Sequence, residues 1–208
     1  MATPVDICNA ALSLLGNPGD IVSISPVEGG RFAERCAREY PICRNSVLES
    51  YDWSFASRRA ALSLLYKDFH GWGFAYAKPA DAVSVISIIE EGDRYFENPR
   101  DFIIETDPKT GSELILTDVE DAYCRYQFYC TNTNRYTEKF CQAVTYLLAA
   151  RLAGDIIKGT TGMKVAESLV KQYTVALTEA KHTDMKQRRR VRDVRSTWDK
   201  RAGRRIEL

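Results

Sequence analysis

The sequence predicts an α+β fold, mainly α: an antiparallel helical bundle with a small inserted antiparallel β domain and an extended basic C-terminal arm. Three observations predict it. Apolar residues recur at three- and four-residue spacing near both ends of the chain. Between about Ser57 and Cys130 the period falls towards two, with β-branched and aromatic residues accumulating. The last stretch has too few apolar side chains to join a core. The implied bounds are 1–56 and 131–185 for the bundle, 57–130 for the insertion and 186–208 for the arm. A chain of 208 residues is long enough for that plan around a sizeable core.

The elements follow in order. Thr3 or Asp6 can cap a helix that runs to Leu15, Pro4 suits its first turn, and Gly16-Asn17-Pro18-Gly19 ends it. A short extended piece, Ile21 to Ile24, precedes a second helix from about Gly30 to Ser50, which Pro41 is expected to kink or split. Trp72, Phe74 and Tyr76 alternate as a strand, and Val83 to Ile89 reads as another. Phe102 to Glu105 and Glu113 to Thr117 flank the turn cluster Thr106-Asp107-Pro108-Lys109-Thr110-Gly111, which predicts a hairpin. A last strand covers Tyr123 to Cys130. Phe140, Val144, Leu147, Leu148, Leu152 and Ile156 then form one helical stripe, and Ala166, Leu169, Val170, Tyr173, Ala176, Leu177 and Ala180 a second. The short connection from Gly159 to Gly162 makes these two an antiparallel pair. Trp53 and Phe55 precede the change of period, and aromatics placed there are expected to pack at the junction of helices and sheet.

The formal net charge is only +1, but the charge is segregated. From Lys186 onward ten basic residues face three acidic ones, so the arm carries +7 and residues 1–185 carry −6. No apolar run approaches the ~18 residues needed to cross a bilayer. The first residues lack the basic and apolar regions of a signal peptide, so export by the general route is not expected. The six cysteines, Cys8, Cys36, Cys43, Cys124, Cys130 and Cys141, form no Cys-x-x-Cys pair and read as reduced, buried thiols.

Catalytic signatures are missing from the sequence. Gly71-Trp72-Gly73 runs into aromatic strand residues, not into a helix N-terminus that could hold a phosphate. His70 and His182 stand near no cysteine pair. Glu90, Glu91 and Asp93 cluster after a strand and read as a solvated loop. No enzyme activity, cofactor or metal is expected. The arm is the informative feature, and composition leaves three readings of it: a solvated tail, a phosphate-contacting segment, or one that orders against an acidic protein surface. Trp198 stands among charges, with Ile206 and Leu208 beyond it, and resembles an anchor that a partner buries.

Several pieces then coincide. Asn9-Ala10-Ala11-Leu12 with Leu15-Gly16 closes a first helix. A helix from Ala33 to Leu48 carrying Arg44 runs into Trp53-Ser54-Phe55-Ala56. A step Tyr76-Ala77-Lys78-Pro79-Ala80-Asp81 follows, and then the late helix from Phe140 to Ala153. In this order the chain resembles the tail tubular protein A family, the head-to-tail adaptors of short-tailed bacteriophages, over about residues 3 to 180. The resemblance implies a structural virion protein without catalytic residues. It would form a homo-oligomeric ring, a dodecamer, joining the portal protein to the tail nozzle protein around the channel for double-stranded DNA, with no membrane partner. Its place would be the virion tail below the portal, after assembly in host cytoplasm. The arm would bind the portal through Arg188, Arg189, Arg190, Arg192, Arg195, Trp198, Arg201, Arg204 and Arg205, a match of position and not of motif. The competing expectation is a soluble DNA-binding protein whose Arg-rich arm supplies the affinity. A cell-wall-cleaving tail enzyme would need paired carboxylates in a cleft, and the sequence shows no such pair.

Overall fold

The computed structural model describes residues 2–28, 30–90 and 100–187. Four α-helices are found among them: α1 (Pro4–Leu14), α2 (Gly30–Glu49), α3 (Glu138–Ile156) and α4 (Thr160–Gln187). The nine strands are β1 (Ser23–Ile24), β2 (Val27–Glu28), β3 (Ser57–Ala61), β4 (Ser63–Phe69), β5 (Trp72–Ala77), β6 (Ala82–Ile89), β7 (Ile103–Thr106), β8 (Glu113–Thr117) and β9 (Tyr123–Phe128).

The expected mainly-α bundle with one small inserted β domain is overturned. Helices, the two short 3-10 turns included, and strands make up 48% and 26% of the described residues, and the strands form three antiparallel sheets. These are the two-stranded β1-β2, the three-stranded β3-β9-β6 and the four-stranded β4-β5-β8-β7. The helices do not close a core among themselves either. Tyr76, Ile88, Ile115, Cys124, Tyr126 and Phe128 of the sheets are buried in the same cluster as the helical residues. The physical reason is that each helix has one apolar stripe to bury, and the inner face of a sheet covers it as well as another helix does.

Helix α3 is the hub, packed along α4 and against α1 and α2. Phe140, Ala143, Val144, Leu148, Ala149 and Ala153 bury completely on it, and its small residues allow close approach from several sides. Two ion pairs tie α2 to α3, Arg35 with Asp155 and Arg151 with Glu39, the latter at 2.9 Å. Helix α1 starts with a capping box: the Asp6 amide donates to the Thr3 hydroxyl and the Thr3 amide to the Asp6 carboxylate. Those bonds hold the Asp6 carboxyl below its ordinary pKa. Helix α2 runs through Pro41 without splitting, because Tyr40, Cys43, Val47 and Leu48 are buried on both sides of it.

Candidate functional site

The arm leaves the described chain at Gln187, and the surroundings of that point are built from distant parts of the sequence. Trp53 is completely buried and its indole N–H donates to the Val47 carbonyl at 2.9 Å, as a buried indole requires. Its ring meets Phe140 edge to face at 5.0 Å, Tyr51 at 5.2 Å and Phe55 at 5.7 Å. Phe55 is partly exposed and contacts Tyr136 and Phe140. Both residues expected at the junction thus sit in an aromatic cluster against α3. The 3-10 turn Ser54–Ala56 between Trp53 and β3 carries the next link.

The Ser54 backbone N–H and its hydroxyl both donate to the buried Asp184 carboxylate of α4, at 3.0 and 2.5 Å. The Gln187 side-chain oxygen lies 3.1 Å from the same hydroxyl. Sheet and helices are stitched beside this point: the Gln127 amide of β9 donates to the Leu48 and Tyr51 carbonyls, and the Tyr129 hydroxyl donates to Glu49. The last turn of α4, from which the arm departs, is therefore fixed to the helix–sheet junction, not to a loose surface. Arg188, Arg189, Arg190, Arg192, Arg195, Trp198, Arg201, Arg204 and Arg205 lie outside the described residues, as do Glu91 and Asp93.

The sequence reading missed Asp184, Ser54 and Gln187. Asp184 is a polar residue in a helix with a long polar face, and nothing local marks it as buried.

A second concave region lies beside β4, β5 and the β7–β8 turn. Its volume is about 510 Å³, and Tyr66, Lys78, Pro79, Asp107, Ser112 and Glu113 help to line it. Asp107 accepts from the Lys109 amide, the Thr110 hydroxyl and the Tyr66 hydroxyl, and Lys78 pairs with Glu113 at 2.7 Å. These groups satisfy one another, as turn-stabilising groups do. Two further grooves flank Gln142 and Tyr146 of α3, one towards α1 and one towards α4.

All six cysteines are buried and free. Burial pushes the Cys43 thiol up to about 12 and those of Cys124 and Cys141 to about 11, so all three stay protonated near neutrality. Cys8 is raised further, by its hydrogen bond to Cys36 and then by burial. Among the described residues no group of three or more His, Cys, Asp or Glu side chains could hold a metal. His70 occupies the β4–β5 turn at φ 51° with its ring against Phe69, and Glu90 pairs with Arg100. No helix among the described residues is long and apolar enough to cross a membrane. No protein-family model matches the chain, and no curated protein matches it.

Proposed function

We propose that this chain is a head-to-tail adaptor: a structural virion subunit that forms a ring, of twelve copies on the resemblance, between the portal protein and the tail nozzle protein. DNA passes through the ring, and the basic arm attaches it to the portal. One observation carries the reading. A segment of charge +7 holding an isolated Trp198 departs from a point fixed by Asp184, Ser54 and the aromatic cluster around Trp53. A segment with such a root can transmit a partner's grip to the folded body. Arginine suits it, because a guanidinium fork engages a carboxylate in two hydrogen bonds and stays charged when desolvated. The order of motifs over residues 3 to 180 supports the same assignment.

The experiment is truncation after Gln187, which leaves every contact of Asp184 with Ser54 in place. The melting temperature of the free subunit is expected to stay unchanged, while attachment to portals is lost. Trp198→Ala is expected to weaken attachment by about 2 kcal/mol or more, because buried aromatic anchors carry most of an interface's energy and rim charges little. A truncated protein that still joins portals but loses DNA affinity would make the arm a nucleic-acid device. The soluble DNA-binding reading draws on the same arginines, and it requires tight, steeply salt-dependent binding of DNA by the intact monomer.

A further inference from the structure

The four-stranded sheet is antiparallel throughout, in the order β4-β5-β8-β7, so its two outer strands run in opposite directions. Among the described residues β4 and β7 each pair on one side only. Both edges carry adjacent exposed aliphatic residues: Leu64 and Leu65 are 44% and 48% exposed on β4, and Ile103 and Ile104 are 38% and 40% exposed on β7. An aliphatic strand edge left open is a template for another strand.

We propose that β4 of one copy pairs with β7 of the next, so that the four-stranded sheets of neighbouring copies join edge to edge. The occupant of each edge is a second copy of this chain. The topology favours it, because a copy related by rotation about an axis along the strands keeps their direction. Its β7 then meets β4 antiparallel, without inversion. Charge selects the register. With Leu64 opposite Ile104 and Leu65 opposite Ile103, Lys67 falls opposite Asp101, and both of those side chains are exposed. Parallel pairing of the same aliphatic residues would set Lys67 opposite Thr106 and lose that match. The bulge of β4 between Leu64 and Tyr66 keeps the pairing short, and one register meets both the aliphatic pairs and the opposite charges. Two different edges make the contact head-to-tail, the type of contact that generates closed rings. The pairing stands on the sheet itself, and only its closure into a ring rests on the adaptor reading.

The test is sedimentation of the full-length chain over a concentration series up to about 1 mM, the weak end of specific association. Wild type is expected to associate progressively. Asp101→Lys and Lys67→Glu are each expected to weaken association about tenfold or more, because like charges then face each other across the contact. The double variant is expected to recover most of the loss. Asp101 is the cleaner site: Lys67 also lies 3.5 Å from Glu120, whereas among the Asp101 contacts the hydrogen bond from Thr117 goes to its backbone carbonyl. A chain that stays monomeric throughout, or association indifferent to Asp101→Lys, overturns the proposal. Sensitivity to Lys67→Glu alone would indicate β4 pairing with its own copy and overturns it too. Portal attachment reports separately on the adaptor reading: an arm-dependent attachment with indifferent edges leaves the adaptor standing and the edge pairing wrong.

Discussion

The helical side of the molecule and the four-stranded sheet solve the same burial problem in different ways. Around α3 the apolar groups are enclosed on all sides, and Trp53, Phe140, Leu148 and Leu152 have almost no exposure. The four-stranded sheet has a far smaller cluster of its own, Ala75, Leu114 and Leu116, bordered by Tyr66, Phe69 and Trp72. Its outer strands leave aliphatic side chains in solvent. The difference teaches where stability and association can reside. Enclosed groups supply stability and are costly to alter, whereas an open edge contributes little to the monomer and remains available to a partner.

The sharpest way to break this contrast is at the junction. Trp53→Ala removes a fully buried ring packed against Tyr51, Phe55 and Phe140, together with its indole hydrogen bond, and is expected to cost about 3–5 kcal/mol in a denaturant titration. A loss below about 1 kcal/mol would show that the junction does not bear the core. Leu116→Ala tests the other side. Leu116 is also fully buried, but its cluster is small and can collapse around the void, so a loss near the low end of the buried-leucine range, about 2–3 kcal/mol, is expected. Equal losses at the two sites would erase the distinction between the regions.

The smallest effect concerns pH. The Lys109 amide, then the Thr110 hydroxyl and the Tyr66 hydroxyl, hold the Asp107 carboxyl below its ordinary value of 3.8. A carboxyl whose pKa is lower in the folded chain stabilises it above the unfolded value and stops doing so as pH falls through the folded one. Hydrogen exchange, corrected for its intrinsic pH dependence, is expected to show the β7–β8 turn protected at pH 5 and progressively released below about pH 4. The α3 amides are expected to hold over the first part of that range. Asp107→Asn is expected to remove the pH dependence of the turn, and a turn that responds unchanged in that variant would assign the effect to another group.

Parts of this arrangement can be read locally. The stripes from Phe140 to Ile156 and from Ala166 to Ala180 lie on α3 and α4, and the turn cluster from Thr106 to Gly111 lies between β7 and β8. These are short-range patterns, set by helical period and turn chemistry. Strands β3 and β4 are not readable in this way. Arg58-Arg59 interrupts any alternation, and Ala60, Ala61, Leu62, Leu64 and Leu65 favour helix as readily as strand. Only the edges offered by β9 and β5 make this stretch extended, which is why the predicted balance of helix and sheet fell.

The sequence by itself determined the charge segregation of the arm, the capped start of α1, the antiparallel pair α3–α4 and the placing of Trp53 beside the change of period. Each depends on residues a few positions apart, and side-chain chemistry acts at that range. Tertiary structure alone decided that Asp184 is buried on Ser54, 130 residues away, that the sheets complete the helical core, and that β4 and β7 become opposite edges of one sheet. Those outcomes follow from which surfaces meet once the chain closes, and burial and hydrogen-bond satisfaction are properties of the meeting surfaces and not of any local stretch.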